Sequence, residues 1–209
     1  QFLSIVGESF SGSEVLKGRS FLADRVGASI APPTVTLVDD PTDGRWPSAT
    51  PSDAEGLATR RNVLIDAGVV SGFVHDGYSA RALGARSTGS AVRHGFKSTP
   101  GAGTQSISLL AGDHDPASIL AAVGDGIYIS DVQGLHSGVN PVSGDFSTGI
   151  EGMVIRGGEL AEAVKEVTIA STLQRMMADI SMVGSDLTAM PLDATGVTLA
   201  IADVTLSGS

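Results

Sequence analysis

Cysteine is absent from this 209-residue chain, and histidine occurs only four times, as His75, His94, His114 and His136. Without cysteine there are no disulfides and no thiolate metal ligands, and a cytoplasmic location is expected. The histidines lie far apart, and no two have the i, i+4 spacing that would place both imidazoles on one helix face. Aromatic residues make up only 4%, so the core must be packed mainly by Val, Ile, Leu and Ala. Positive charge is also scarce: 13 Lys and Arg face 23 Asp and Glu, a net charge of −10. That balance argues against a nucleic-acid partner, because phosphate binding needs clustered cations. The basic pairs Arg60-Arg61 and Arg81/Arg86 sit beside acidic or small residues and read as solvated surface. No apolar run approaches the roughly 20 residues that a membrane span requires. No charged-then-apolar leader opens the chain. Gln1 is not an initiator methionine, so a piece of a longer polypeptide is expected.

What is present is 42% hydrophobic content and 27 glycines. This composition supports a turn-rich, folded domain. Ser11-Gly12-Ser13 before Glu14-Val15-Leu16 can open a helical turn. Pro32-Pro33 then launches a β-branched run, predicting a strand over 34–38, and the polar residues 41–59 read as a long loop. Residues 62–66 and 69–75, separated by Ala67-Gly68, predict a hairpin. A short helix over 78–83 with Gly84 as its cap follows, then irregular chain over 85–105 and a strand over 106–110. Asp115 as N-cap and Pro116 at the first helical position predict a helix ending at Gly124 or Gly126.

Further on, residues 127–132 predict a strand, the glycine-rich stretch 134–149 a loop, and 152–155 with 160–164 a hairpin around Gly157-Gly158. Residues 167–170 continue that sheet. Leu173, Met176, Met177, Ile180 and Val183 match an amphipathic helix, and residues 196–206 alternate as a terminal strand. There is no internal repeat and no interior linker, so the pattern predicts one domain. Its class is α+β: a mixed, largely antiparallel sheet built from hairpins, with a few short helices.

Candidate chemistry is thin. The stretch 134–149 has the glycines of a phosphate-cradling loop, but neither the lysine nor the following helix. Ser137, His136 and Asp145 can be drawn as a hydrolytic triad, yet no Gly-x-Ser-x-Gly elbow supports the drawing. Asp53 and Glu55 can be drawn as paired carboxylates, although loop solvation or a salt bridge to Arg60 or Arg61 accounts for them more simply. Met176-Met177 reads as core or partner surface.

A set of segments in fixed order carries more. They are Lys17-Gly18-Arg19-Ser20-Phe21-Leu22, residues 36–41, Asp53-Ala54-Glu55-Gly56 and Thr59-Arg60-Arg61. Residues 63–72, Tyr78-Ser79-Ala80-Arg81-Ala82-Leu83-Gly84 and Ser87-Thr88-Gly89-Ser90-Ala91 follow, then residues 140–147 and 164–170. Together they resemble the C-terminal domain of the PmbA/TldD family, its PmbA (TldE) branch more than its TldD branch, over residues 1–209. The family's N-terminal domain would precede residue 1. The resemblance implies a two-subunit cytoplasmic metallopeptidase of bacteria and archaea that degrades peptides and matures peptide precursors.

In that family the catalytic TldD-type subunit carries a His-Glu-x-x-x-His helix before a Val-Asp-Asp strand, and a later cysteine. The corresponding stretch here is Gly7-Glu8-Ser9-Phe10-Ser11-Gly12, in which Glu8 matches the glutamate and Gly7 and Gly12 stand where the histidines would be. Near the C-terminus Leu187-Thr188-Ala189-Met190-Pro191-Leu192 offers no thiol. The resemblance therefore implies no catalytic residue and no metal ligand in this chain, with zinc in a partner subunit. It also implies pairing with a TldD-type subunit or a second copy, and peptides as substrates. The expected peptide-facing or partner surface is Ser79, Arg81 and Thr88 together with Asn140, Asp145 and Phe146. Two alternatives stand beside it. One is a self-sufficient metallopeptidase with ligands outside these residues; the other is a homodimeric module acting on another protein, such as DNA gyrase, a link the family's older label makes.

Overall fold

Helix α1 (Phe2–Glu8) opens the chain in the computed structural model, which describes residues 2–189 and 195–208. Its Leu3 and Val6 lie one turn apart and are buried with Phe10 against the first sheet. Helix α2 (Gly12–Leu16) is the helical turn the sequence predicts.

Strand β1 (Leu37–Asp39) is fully buried but starts later than the β-branched run suggests. The reason is the proline pair: Val35 N–H donates to Pro32 O at 2.9 Å, which closes a turn where the strand would begin. Strands β2 (Asn62–Asp66) and β3 (Val69–Val70) form the predicted hairpin. Its two central residues, Ala67 (φ 44°) and Gly68 (φ 82°), both have the positive φ of a type I′ turn. Strand β3 does not run on to residue 75. Val74 leaves the sheet to clamp the joint between the first two helices, donating to Phe10 O (3.0 Å) and accepting from Gly12 N–H (2.8 Å).

Helix α3 (Gly77–Ala82) starts at Asp76, whose carboxylate accepts from Ser79 N–H at 2.8 Å. The stretch 85–105, read as irregular, contains a two-residue ladder of β4 (Ala91–Val92) and β5 (Gly101–Ala102). Strand β6 (Ile107–Leu109) completes the antiparallel sheet β3-β2-β1-β6.

Asp115 caps α4 (Pro116–Val123) as its spacing predicts, accepting from the N–H groups of Ala117 and Ser118. Then come β7 (Gly126–Gln133), the single turn α5 (Leu135–Gly138), β8 (Asp145–Arg156) and β9 (Glu159–Thr172). The β8–β9 hairpin turns at Gly157 (φ 54°) and Gly158 (φ 86°) as predicted. It is much longer than predicted. Its ladder runs from Arg156↔Glu159 to Asp145↔Thr172, and takes in part of the glycine-rich stretch.

Helix α6 (Leu173–Ala178) corrects the predicted helix over 173–183. Leu173, Met176 and Met177 are buried, but Asp179 ends the helix, and Ile180 and Val183 belong to β10 (Ile180–Val183). A bulge between Ile180 and Met182 lets residues three apart both face inward, so a strand imitates a helical period. The terminal strand predicted over 196–206 is three pieces. Strand β11 (Thr188–Ala189) pairs with β12 (Thr195–Gly196), β10 with β13 (Leu199–Ile201), and β14 (Thr205–Ser207) with β9. Asp203 (φ 53°) lies between the last two.

The second sheet has the order β14-β9-β8-β7. One apolar cluster, including Phe10, Leu37, Leu64, Ile150, Leu173 and Met177, joins both sheets. Among the described residues no helix is long and apolar enough to cross a membrane.

Candidate functional site

A cleft of about 1090 Å³ opens beside the first sheet. Its charged and aromatic lining comprises Glu8, Glu14, Arg19, Trp46, Arg93 and His94, over a floor from residues 102–107. Glu8 reaches it because it ends α1, and Arg93 and His94 because they directly follow β4.

Side chains bonded to backbone hold this region in place. Ser11 Oγ donates to Ala102 O (2.7 Å), and Ser13 Oγ accepts from Ala102 N–H (3.0 Å), tying both helices to β5. Asp39 Oδ1 accepts from the N–H groups of Gln105 (2.8 Å) and Ser106 (2.6 Å). The Ser48 hydroxyl bonds the Ser106 hydroxyl at 2.8 Å, which fastens the Trp46 loop to the same wall. Asp39 is fully buried and its Oδ2 has no partner among the described residues. Burial pushes its carboxyl up to about 6, opposed by the two N–H bonds and helped by neighbouring Asp40.

The residues at the joint between α1 and α2 do not fit a zinc site. A Cβ built at Gly7 would lie 2.7 Å from Ile107 Cδ1 and 3.1 Å from Thr104 Oγ1. At Gly12 it would lie 2.2 Å from His75 Nδ1 and 3.0 Å from Val74 O. Of the two positions that the family motif would give to histidine, Gly12 is closed by the His75 ring and the Val74 carbonyl, whereas at Gly7 the ends of the Ile107 and Thr104 side chains would have to shift. His75 itself is buried. Its Nδ1 lies 3.4 Å from Ser79 Oγ, which donates to Asp76 Oδ1 at 2.5 Å. Desolvation lowers the His75 pKa, against the opposing charge of Asp76. His94 and His114 are exposed. Among the described residues no three His, Asp or Glu side chains stand close enough together to hold a metal ion. Of the stretch 187–192, residues 190–192 lie outside the described residues.

The sequence-predicted surface residues fall into two groups. Ser79 is fully buried and Thr88 half-buried; Thr88 Oγ1 accepts from His75 N–H at 2.7 Å and bonds Ser90 Oγ at 2.9 Å. Arg81 is exposed on α3. Asn140, Asp145 and Phe146 share a shallow depression of about 770 Å³ by β8. There Asn140 Oδ1 accepts from Val142 N–H (2.9 Å), Asp145 Oδ2 accepts from the Ser143 hydroxyl (2.6 Å), and Phe146 is buried in the core.

The other drawings resolve into local bonding. Ser137 Oγ donates to Gly134 O at 3.2 Å, while the His136 side chain lies outside the described residues. Asp53 accepts from the N–H groups of Glu55, Leu57 and Ala91, and Glu55 accepts from Gly77 N–H; neither bonds an arginine. Sequence reasoning missed the cleft, because Trp46, Arg93 and His94 sit in stretches read as loop. The available signal was Arg93-His94 and Lys97 clustered in an otherwise acidic chain.

The family model of the PmbA/TldA metallopeptidase C-terminal domain matches residues 1–208. This chain belongs to the PmbA/TldD family. It is 33% identical to Metalloprotease PmbA of Escherichia coli O157:H7 over 186 residues, which is 89% of this chain and 38% of that protein. Among solved structures, TldE from Thermococcus kodakarensis superposes with a TM-score of 0.84 at 32% identity, covering 93% of this chain and 44% of TldE. A Thermotoga maritima protein labelled a modulator of DNA gyrase superposes with a TM-score of 0.90 at 25% identity, over 99% of this chain and 46% of that one. The chain therefore spans less than half the length of these relatives.

Proposed function

We propose that this PmbA/TldD C-terminal domain is a noncatalytic part of a TldD/PmbA-type metallopeptidase complex acting in proteolysis and peptide maturation in the cytoplasm. Metal-dependent cutting belongs to a TldD-type companion, and this chain contributes shape and hydrogen-bonding surface to the chamber that holds the peptide. The observation that carries the reading is the closed joint between α1 and α2, where Gly7 and Gly12 flank Glu8 with Ile107 and His75 packed against them. Resemblance to TldE supports the same division of labour. Co-expression with a TldD-type subunit tests it. A stable complex should cleave peptides, while this protein alone should not; peptide cleavage by the purified protein alone, abolished by chelator, contradicts it.

A second reading is a self-sufficient metallopeptidase whose ligands lie outside these residues. It is favoured by one fact: the Escherichia coli relative is itself named a metalloprotease, and this chain spans 38% of it. Assay of the full-length product alone, with and without chelator, separates the two. The gyrase label of the Thermotoga relative supplies a third partner to include in pull-downs, although the net charge of −10 gives no support to direct DNA contact.

A further inference from the structure

We propose that the 1090 Å³ cleft takes a peptide segment bearing a carboxylate, and that Arg93 is the residue that pairs with it. The inference rests on the reading of this chain as a peptide-handling partner and specifies the ligand chemistry.

The first argument is charge. Glu14 is spent on Arg19 (2.8 Å) and Lys17 (3.0 Å), and Arg19 holds its carboxylate below the ordinary range. That leaves Glu8, Arg93 and His94 on the lining. Arg93 is exposed and has no ion-pair partner among the described residues. In a chain of net charge −10, a guanidinium left unpaired on the lining of this cleft is available for a ligand. Its planar fork matches a carboxylate through two parallel N–H···O bonds. Glu8 on the same lining would repel a dianionic phosphate more strongly than a singly charged group, so a carboxylate on an otherwise neutral chain is the better match.

The second argument is shape. Ala91, Ala102, Gly103 and Ser106 put only small side chains on the lining, which leaves room for an extended peptide. Trp46, with the Arg45 guanidinium over its ring 5.4 Å from the centroid, adds an aromatic wall. Asp39, Asp53, Ser11 and Ser13 fasten the floor to its neighbours, so little ordering is needed on binding.

Trp46 is the chain's one tryptophan, which makes the cleft its own reporter. Three N-acetylated, alanine-rich hexapeptides serve as probes: one with a free C-terminal carboxylate, one amidated, and one amidated with an internal glutamate. Both carboxylate-bearing peptides should perturb Trp46 fluorescence and bind about tenfold more tightly than the neutral amide. A response to only one of them identifies whether the terminus or a side chain supplies the group. Arg93→Gln should erase the gap, Arg93→Lys should restore part of it, and Arg156→Gln on the distant hairpin should leave it intact. Equal binding of all three peptides, an unchanged gap in Arg93→Gln, or no binding by fluorescence and calorimetry overturns the proposal. A wild-type protein that captures the TldD-type subunit yet shows no carboxylate preference sinks this inference and keeps the pairing. A preference that depends on Arg93, with no capture, does the reverse.

Discussion

The two four-stranded sheets of this molecule are held together by different chemistry. In the second, β8 and β9 run 12 and 14 residues and satisfy their backbone groups with one another. In the first, strands run two to five residues, too short to consume the polar backbone around them. Buried polar side chains supply the missing partners. Among the described residues, every buried polar side chain except Thr148 and Thr195 lies between Ser9 and Ser108. Short strands joined by side-chain staples leave concave spaces between loops, and a continuous ladder does not. The large cleft accordingly lies beside the stapled sheet.

That contrast can be broken by substitution. The largest expected effect is at Asp53, whose carboxylate accepts from three N–H groups and is buried. Asp53→Ala should cost about 3 kcal/mol: the buried Ala91 N–H loses its charged partner at roughly 1–3 kcal/mol, while the N–H groups of exposed Glu55 and Leu57 turn to water at little cost. Urea denaturation measures it, and a loss below about 1 kcal/mol would show the staples to be ornamental.

Asp39 should give the next effect, and it depends on pH. Its folded pKa of about 6 stands above the ordinary carboxylate value of 3.8, so the folded state binds more protons between those values. The stability that this group contributes is therefore present below about pH 4 and is lost as pH rises through 6. Asp39→Asn should gain about 2–3 kcal/mol on wild type between pH 4 and pH 7. Denaturation curves at four pH values test this; a gap that does not change with pH refutes the burial argument.

Gly12→Ala places a methyl group against His75 and Val74 O, and overpacking of this kind should cost about 1–3 kcal/mol. His75→Ala in the same chain should recover part of the loss, as a double-mutant cycle would register. At the small end is the Arg156–Glu162 pair on the long hairpin, both partners more than half exposed. Arg156→Ala should leave the melting temperature unchanged within error.

Much of the architecture was legible before the structure. The Ala67-Gly68 and Gly157-Gly158 turns, the Asp115-Pro116 helix start and the α+β class rest on local chemistry that tertiary contacts did not override. What failed did so for identifiable reasons. Ile180 and Val183 kept a helical spacing inside a bulged strand, and Pro32 turned the chain before β1. The staples were invisible because they join residues up to 91 positions apart, as Ser11 and Ala102 do. The candidate site was least legible. Gly7 and Gly12 could be aligned with a ligand motif, but only packing shows that His75 and the Val74 carbonyl close Gly12 while Ile107 crowds Gly7.

Metal content measured by plasma mass spectrometry, on the purified protein and on its complex with a TldD-type subunit, tests the central claim most directly. The closed joint between α1 and α2 predicts well under one zinc per chain in the isolated protein, and zinc only when the companion is present. One zinc per chain in the isolated protein, surviving dialysis against chelator, would contradict the account.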